Sequence, residues 1–386
     1  MKIAHLSFSC KTGGAAISSS RIHRALLEKG ITSHLYSEDP TPENNNYTTK
    51  MVIPPIVRVL NSKLSRVTSS LLTENSNANY FMVGFSSWAN YLKQQKYDIL
   101  HIHWPYRGLI SLRDLRRINI PIVWTLHDSW PIQEFSFLPT EERRKNNLIA
   151  EIFVRNKRKS LYNINYVAPS NWMFNYAVQN KIKNITRIKN PLNIDQSQII
   201  KKPLSKNWRA KDNLKLGFVS GESLNAYNKG FDKISKNLAS FDRKNISLNV
   251  IGAKVVNNEP AYNCLNFIPP SNSKFKMQEF YEAIDYLLVP SRFDNYPNVI
   301  LEAIAYGVPV IGEKTSGITE MVRDSGFGIL LNDKNNGWDD LLEVILAMDA
   351  KKNTYINRKM AIKWIESHSY KKISKQYIEL YEKLLN

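Results

Sequence analysis

The chain of 386 residues has only two cysteines, Cys10 and Cys264, placed far apart. That excludes a disulfide framework and the paired spacing of a zinc site, and it makes a reducing compartment the default. No apolar run approaches the roughly 18–20 residues needed to cross a bilayer. Residues 1–9 have no basic region followed by a long apolar stretch, so no secretory signal is expected there, and the protein reads as cytoplasmic. The 15 glycines never form Gly-x-Gly-x-x-Gly or a Gly-Lys-Ser/Thr P-loop, which argues against hydride transfer and nucleotide hydrolysis. No repeat of 20–50 residues is apparent.

Acidic residues are the scarcer charge. The 34 Asp+Glu against 53 Lys+Arg give a net charge of +19. The excess is uneven: residues 1–190 hold 26 basic and 12 acidic residues (+14), and residues 191–386 hold 27 and 22 (+5). A basic first half suits an anionic partner, whether a membrane surface, a phosphate-bearing substrate or nucleic acid. Solubility and a genome rich in Lys and Asn codons would give the same bias. No helix-turn-helix, zinc or RNP-type pattern accompanies the charge, so nucleic acid is not the expected partner.

What is present is ordinary globular composition, 43% hydrophobic and 23% charged, at a length that fits about two or three domains. Short apolar runs alternate with helical spacing. Ile3-Ala4-His5-Leu6 reads as a strand, Gly13-Gly14 as a loop, 15–28 as a helix stopped by Gly30, and Ser33 to Tyr36 as the next strand. After an Asn/Ser/Thr-rich stretch at 40–80, read as an insertion or helical pair, the pattern resumes. Strands are expected at 98–103, 121–126 and 166–169, and helices at 109–118 and 141–161. Asn190 to Asp195 reads as a linker. A second series has strands at 215–219, 248–252, 286–290 and 308–312. Two alternating series imply two doubly wound α/β domains with a cleft between them. Residues 370–386 carry Ile373, Tyr377, Leu380, Tyr381 and Leu384 on one helical face.

The most suggestive constellation is Asp294-Asn295-Tyr296-Pro297-Asn298-Val299-Ile300-Leu301-Glu302. Pro297 and Asn298 read as a helix start, with Asn298 as cap. Asp294 then lies in the loop before it and Glu302 about one turn inside. The free N–H groups of the first turn suit phosphate, and carboxylates suit sugar hydroxyls. The same spacing also fits Asp294 and Asn298 as caps and Glu302 as a surface residue.

This segment, from Pro290-Ser291 to Pro309, resembles the acidic signature of the retaining glycosyltransferase family 4. Similarity runs along most of the chain. It includes Gly13-Gly14, His101-Ile102-His103-Trp104, Thr125-Leu126-His127-Asp128-Ser129-Trp130, Ala168-Pro169-Ser170-Asn171-Trp172, Asn190-Pro191 and Asn228-Lys229-Gly230-Phe231. The resemblance implies a GT-B fold: two Rossmann-like domains facing a central cleft. The implied divisions are an acceptor domain at 1–192, a nucleotide-sugar domain at 193–368, and a last helix at 369–386 that returns to the first domain. It implies Glu302 on the nucleotide ribose and Asp294 on the donor sugar, where Glu is commoner. Backbone of Asn295, Tyr296, Pro297 and Asn298 would line the sugar and diphosphate, with Pro297 offering only a carbonyl.

Lys229 would neutralise the diphosphate as its charge rises in the transition state; bare sequence reads it as an exposed turn lysine. His127 would bond a sugar hydroxyl, with Asp128 either orienting it or capping the next turn. Gly13 and Gly14 would admit an anion to the backbone, or simply turn the chain. The family often carries an arginine near the lysine. Here those positions read Asn228 and Gly221-Glu222-Ser223, and Arg292 is the candidate substitute. His101 and His103 share a strand face, but two imidazoles make no metal site. No metal and no cofactor are expected, the nucleoside-diphosphate sugar being the donor substrate.

The function implied is retaining transfer of a sugar to a lipid-linked or oligosaccharide acceptor in bacterial surface-polysaccharide synthesis: O-antigen, lipopolysaccharide core or capsule. Arg113, Arg116, Arg117, Arg143, Arg144, Lys145, Arg155, Lys157, Arg158 and Lys159 form a basic face. It suits peripheral binding to the anionic inner-membrane surface, or is a solvated helix face. A nucleotide-sugar epimerase of the same fold and a non-catalytic anion- or nucleic-acid-binding protein are the alternatives.

Overall fold

The computed structural model describes the chain except residues 40–47, 51–54, 73–81, 85, 87, 106–108, 135–146, 194–213, 222, 223, 225, 245, 253–261, 270–273, 333–336 and 351–355. It divides into two units, Met1–Pro191 with Tyr370–Asn386, and Leu192–Ser369.

The first unit contains, in order, β1 (Lys2–Ser7), α1 (Gly14–Leu27), β2 (Thr32–Ser37), β3 (Thr48–Lys50), α2 (Pro55–Leu72), α3 (Trp88–Gln95), β4 (Ile99–Trp104), α4 (Leu112–Leu115), β5 (Ile122–Thr125), α5 (Leu148–Leu161), β6 (Asn165–Ala168), α6 (Asn171–Gln179) and β7 (Ile185–Arg187). The strands form one parallel sheet in the order β3-β2-β1-β4-β5-β6-β7. Runs such as Ile122-Val123-Trp124-Thr125 are buried residue after residue, as strands covered on both faces must be. The chain builds outward from β1 to β3, then restarts at β4 on the other side of β1. Loops after β1 and β4 therefore part company, which opens a crevice at the strand ends.

The second unit contains β8 (Leu214–Val219), α7 (Phe231–Ser235), α8 (Leu238–Arg243), β9 (Ile246–Ile251), β10 (Leu265–Ile268), α9 (Lys274–Ala283), β11 (Tyr286–Val289), α10 (Asn298–Ala305), β12 (Val310–Glu313), α11 (Ser316–Ser325), β13 (Gly328–Leu331), α12 (Leu341–Ala350) and α13 (Arg358–Glu366). Its parallel sheet, β10-β9-β8-β11-β12-β13, reverses direction between β8 and β11. One core lies against α9, α10, α11 and α13 and another against α7 and α8. Two doubly wound sheets are thus present, as the alternating pattern implied.

The last helix, α14 (Tyr370–Leu385), belongs to the first unit. Ile373, Tyr377, Leu380 and Tyr381 join Ile3, Ile22, Leu26 and Ile99 in one buried cluster. Their helical spacing makes this single stripe.

Three local expectations shift. The helix at 109–118 shortens to α4, because the Ser111 hydroxyl accepts the Asp114 N–H and fixes a late start. The helix at 141–161 is seen from Leu148, where Asn147 caps it through the Ala150 N–H; residues 141–146 lie outside the described ones. Within 40–80 the described part is β3 and the 18-residue α2. Among the described residues, no helix is long and apolar enough to cross a membrane.

Candidate active site

In the second unit, the candidate residues gather at the strand ends beside the reversal. Lys229 ends a short 3-10 turn, Tyr227–Lys229, on the connection after β8. Asp294 lies on the connection after β11. The two meet: Lys229 Nζ is 3.0 Å from Asp294 Oδ2, with side chains 32% and 21% exposed. Lys229 is therefore a partly screened cation held by a carboxylate, not a free turn lysine.

Close backbone approaches fix this meeting. Gly230 follows Lys229 at φ 71, and a Cβ there would lie 2.3 Å from the Pro290 carbonyl oxygen. Gly317 N–H donates to the Asp294 carbonyl at 3.1 Å, and a Cβ on Gly317 would come within 1.5 Å of the Asn295 carbonyl oxygen. Ser316 Oγ accepts the Asp294 N–H and donates to the Asp294 carbonyl. Ser316 and Gly317 thus hold the acidic loop, a role that nothing in their local sequence reveals.

Pro297 and Asn298 exchange the roles expected of them. Helix α10 begins at Asn298, and Pro297 occupies the cap position with no side-chain cap bond. Proline has no side-chain acceptor, so no side chain caps this helix from that position, and the Ile300 N–H donates to the Pro297 carbonyl at 3.1 Å. Asn295, Tyr296 and Asn298 are buried, at 3%, 5% and 6% exposure. The Tyr296 hydroxyl points away to His368 Nε2, 2.7 Å distant, leaving this residue's backbone for the loop. Glu302 sits one turn into α10, where Tyr281 OH donates to its Oε2 at 2.9 Å.

Arg292, the candidate substitute for the missing arginine, is already engaged. Its guanidinium forks onto both oxygens of Asp232, at 2.8 and 2.5 Å, and lies over the Tyr227 ring. This hydrogen-bonded arginine holds the Asp232 carboxyl below its ordinary range. Arg292 instead braces the Lys229 turn, donating from its backbone N–H to the Asn228 carbonyl. Of the other positions for that arginine, Glu222 and Ser223 lie outside the described residues.

In the first unit, Gly13 and Gly14 are exposed at the start of the 14-residue α1, with Gly13 at φ 92 and no side-chain cap. A Cβ on Gly13 would meet nothing within 4 Å. The open N-terminus of a helix is a natural place for an anion.

His127 lies just past β5, half-buried. Its Nε2 meets His103 Nδ1 at 3.2 Å, and burial lowers its pKa to about 3. Asp128 does not orient it. Asp128 Oδ1 accepts the Trp130 N–H at 3.0 Å, so it caps the following turn. Burial raises the Asp128 carboxyl to about 6, against the pull of that bond, of Lys157 and of the Trp104 side chain. Asp128, Trp104, Trp124, Trp130 and His103 border a small cavity with Met82 and Pro105. Indoles beside a carboxylate suit the apolar face and hydroxyls of a sugar.

His101 and His103 do share one face, and β1 adds His5 to them. One nitrogen from each lies within 4.8 Å of the others, a group that could hold a metal by count. Spacing along one strand could not reveal His5, because His5 is brought alongside by the β1–β4 register.

The basic face is smaller than its sequence suggests. Lys157 is 2% exposed and turns inward. Its ammonium donates to the carbonyls of Trp130, Gln133 and Glu134 and lies 3.5 Å from the centre of the Trp130 ring. Arg113, Arg116, Arg117, Arg155, Arg158 and Lys159 are exposed, while Arg143, Arg144 and Lys145 lie outside the described residues. Nearby runs an apolar face not foreseen from sequence. Ile56, Val59, Leu60, Val67 and Leu71 of α2, and Leu148, Ile149 and Ile152 of α5, are 41–71% exposed.

Comparison with known proteins follows the same division. The model of Glycosyltransferase Family 4 matches residues 12–196, and that of Glycosyl transferases group 1 matches 214–348. An uncharacterised 41.2 kDa protein of the cps region of Klebsiella pneumoniae is 24% identical over 313 residues, 75% of this chain and 80% of its own. Among solved structures, WaaG, a glycosyltransferase involved in lipopolysaccharide biosynthesis, superposes with TM-score 0.65 at 15% identity, over 98% of this chain and 99% of its own. Anabaena HepE in complex with UDP-glucose gives 0.63 at 16%, over 99% and 100%. At such identities the structural likeness speaks for the fold alone.

Proposed function

This chain belongs to the glycosyltransferases of family 4, with the GT-B fold, and from that premise we propose that it moves a sugar from a nucleoside-diphosphate donor to a lipid-linked glycan acceptor, with retention and without a metal ion. The observation that carries the reading is the Lys229–Asp294 pair beside the uncapped start of α10. Breaking the glycosidic bond builds negative charge on the departing diphosphate. A preorganised cation and the positive end of a helix stabilise that charge. In this reading they take the part a divalent ion plays elsewhere. Asp294 releases Lys229 to the diphosphate and turns to a hydroxyl of the donor sugar. Glu302, steadied by Tyr281, accepts from the ribose hydroxyls. In the first unit, His127 bonds a hydroxyl of the sugar, and the lack of a side chain at Gly13 lets an anion approach the backbone.

Surface polysaccharide as the product is supported by the relative that lies in a cps region. A lipid-linked acceptor fits the exposed apolar residues of α2 and α5 alongside Arg155, Arg158 and Lys159. Apolar side chains entering the acyl boundary and cations at anionic headgroups are the two components of peripheral binding.

The test is a thermal-shift panel of UDP, GDP, CDP, ADP and their sugars, with EDTA present. One nucleotide series should stabilise the protein by roughly 2–4 kcal/mol when well above its dissociation constant. Glu302→Ala should abolish that gain without unfolding the chain. The chosen donor is then incubated with lipid-linked oligosaccharide, and the anomeric configuration of the product is read by NMR. A flat panel from folded protein overturns the transferase reading, and product formed without acceptor turns it into an epimerase. Loss of turnover in EDTA removes the metal-free claim.

A further inference from the structure

Three histidines of the first unit form a line. His5 Nδ1 is 3.0 Å from His103 Nε2, and His103 Nδ1 is 3.2 Å from His127 Nε2. The ring centroids of the two pairs lie 5.3 and 5.5 Å apart. Each value is the nitrogen–nitrogen distance plus about one ring radius at either end. The rings therefore meet edge to edge, nitrogen pointing at nitrogen, with only 15° between the planes of His5 and His103. This is the geometry of N–H···N hydrogen bonds. Two ligands of one ion would aim at a common point off the line between them. His101 stands aside from the line, with Nδ1 on Tyr381 OH and Nε2 on Thr125 Oγ1.

Each neutral imidazole carries one proton, so three rings in line allow two polarities. If protons run inward from His127 Nε2, the last N–H falls on His5 Nε2. That atom is buried and has no hydrogen-bond partner among the described residues. A buried N–H with no acceptor is rarer and costlier than a bare acceptor. If protons run outward, His5 Nδ1–H donates to His103, His103 Nδ1–H donates to His127, and His5 Nε2 keeps only a lone pair. Burial keeps His5 and His103 neutral, as this scheme needs.

We propose that His5 and His103 are positioning residues that lock His127 as its Nδ1–H tautomer, so that it meets the sugar as a hydrogen-bond donor and not as a base. The first half concerns this chain alone. The second rests on the transferase reading, in which His127 contacts the sugar. The acceptor face of His127 is turned inward and occupied. With its one basic lone pair held by the His103 proton, it binds and orients without taking a proton from the acceptor.

Isotope-labelled histidine in the full chain, read by long-range nitrogen–proton NMR at neutral pH, tests the tautomer directly. His5, His103 and His127 should all be neutral and protonated on Nδ1. A proton on His127 Nε2, or a charged His127, overturns the proposal. Two variants then test its use. In His5→Asn the amide nitrogen stands where Nδ1 stood and still donates to His103, so tautomer and turnover should hold. In His5→Phe that donor is lost, His127 should become a mixture of tautomers, and kcat should fall about tenfold, the worth of one hydrogen bond, with KM unchanged. An unchanged tautomer in His5→Phe, or equal losses in both variants, overturns it. Should His5→Phe fail to fold, the spectrum of the unaltered chain decides alone. If that chain transfers no sugar from any donor, the functional reading fails while the tautomer result stands.

Discussion

The two units share a sheet plan and differ in what they set at the strand ends. Each winds outward, reverses between its first strand and the strand that restarts beside it, and opens a crevice at the reversal. In the second unit that rim carries opposite charges at partial exposure, Lys229 and Asp294, with Glu302 one turn away. In the first it carries buried imidazoles in hydrogen-bonded line, next to indoles and one desolvated carboxyl. One scaffold thus offers two chemistries. A charged, half-wet rim suits a group whose charge changes during reaction. A largely desolvated rim of neutral imidazoles and indoles suits hydroxyls that must be recognised without moving charge.

Acid should separate the two units most strongly. Burial holds His5, His101 and His103 well below 6.5, holds His23 and His127 at about 3, and lowers His34 as well. As pH falls below about 6.5, the unfolded chain binds protons that the native chain refuses, so stability drops. By pH 5 the loss is roughly 2 kcal/mol for each fully buried imidazole. Asp128 works the other way. With its native pKa near 6, the folded state takes the proton first, and stability from this group grows as pH falls toward 3.8. One carboxyl opposes six imidazoles, so the sum is a loss. Hydrogen exchange across a pH series should show amides of the first unit losing protection well before those of the second. The reverse order would break the contrast.

Removing the cation tests the charged rim. Lys229→Ala should lower kcat by about 100- to 1,000-fold, as loss of one preorganised donor to a developing anion does. KM for the acceptor should move little, and circular dichroism should be unchanged. A loss below tenfold would mean that the pair serves the loop and not the leaving group.

Gly317→Ala asks how firmly that rim is built. Its new Cβ must displace the Asn295 carbonyl, so roughly 1–3 kcal/mol of stability should go, together with nucleotide binding. Gly13→Ala, in open space at φ 92, should cost only about 1–2 kcal/mol of backbone strain. Chemical denaturation measures both. Equal costs would deny the second unit its tighter rim.

How much of this was readable beforehand follows from what sequence period reports. Apolar runs buried on both faces announced the parallel strands, and the α14 stripe announced a packed helix. Asp294 and Glu302 were legible as a pair because both lie on one short segment. Period gives a face and says nothing of depth or partner. Lys157 looks like its neighbours Arg158 and Lys159, yet it is buried. His5 joins His103 from 98 positions away, and Lys229 joins Asp294 from 65. Those meetings are set by strand register and by glycine contacts such as Gly230 against Pro290. Pro297 was misplaced by one position because proline is common in a first turn and Asn298 has a capping side chain.

The smallest expected effect on stability is on the outer face of the first unit, where a change should move one property and spare another. Arg158 pairs with Glu134 at 2.9 Å, the side chains being 75% and 36% exposed. Such a surface pair contributes at most about 1 kcal/mol. Replacing Arg155, Arg158 and Lys159 together by Glu should therefore leave the thermal midpoint within a few degrees. Turnover with a water-soluble acceptor analogue should also persist, since none of these side chains belongs to either rim. Binding to vesicles containing anionic lipid should fall by at least about fivefold for each site reversed, from about 1 kcal/mol for each cation lost near the surface. The difference between the proteins should fade as salt is raised, because charges beyond about 10 Å are screened at 0.1 M. If vesicle binding survives the reversal but is lost when Leu148, Ile149 and Ile152 become Ser, the exposed apolar face holds the surface and the cations only ride above it.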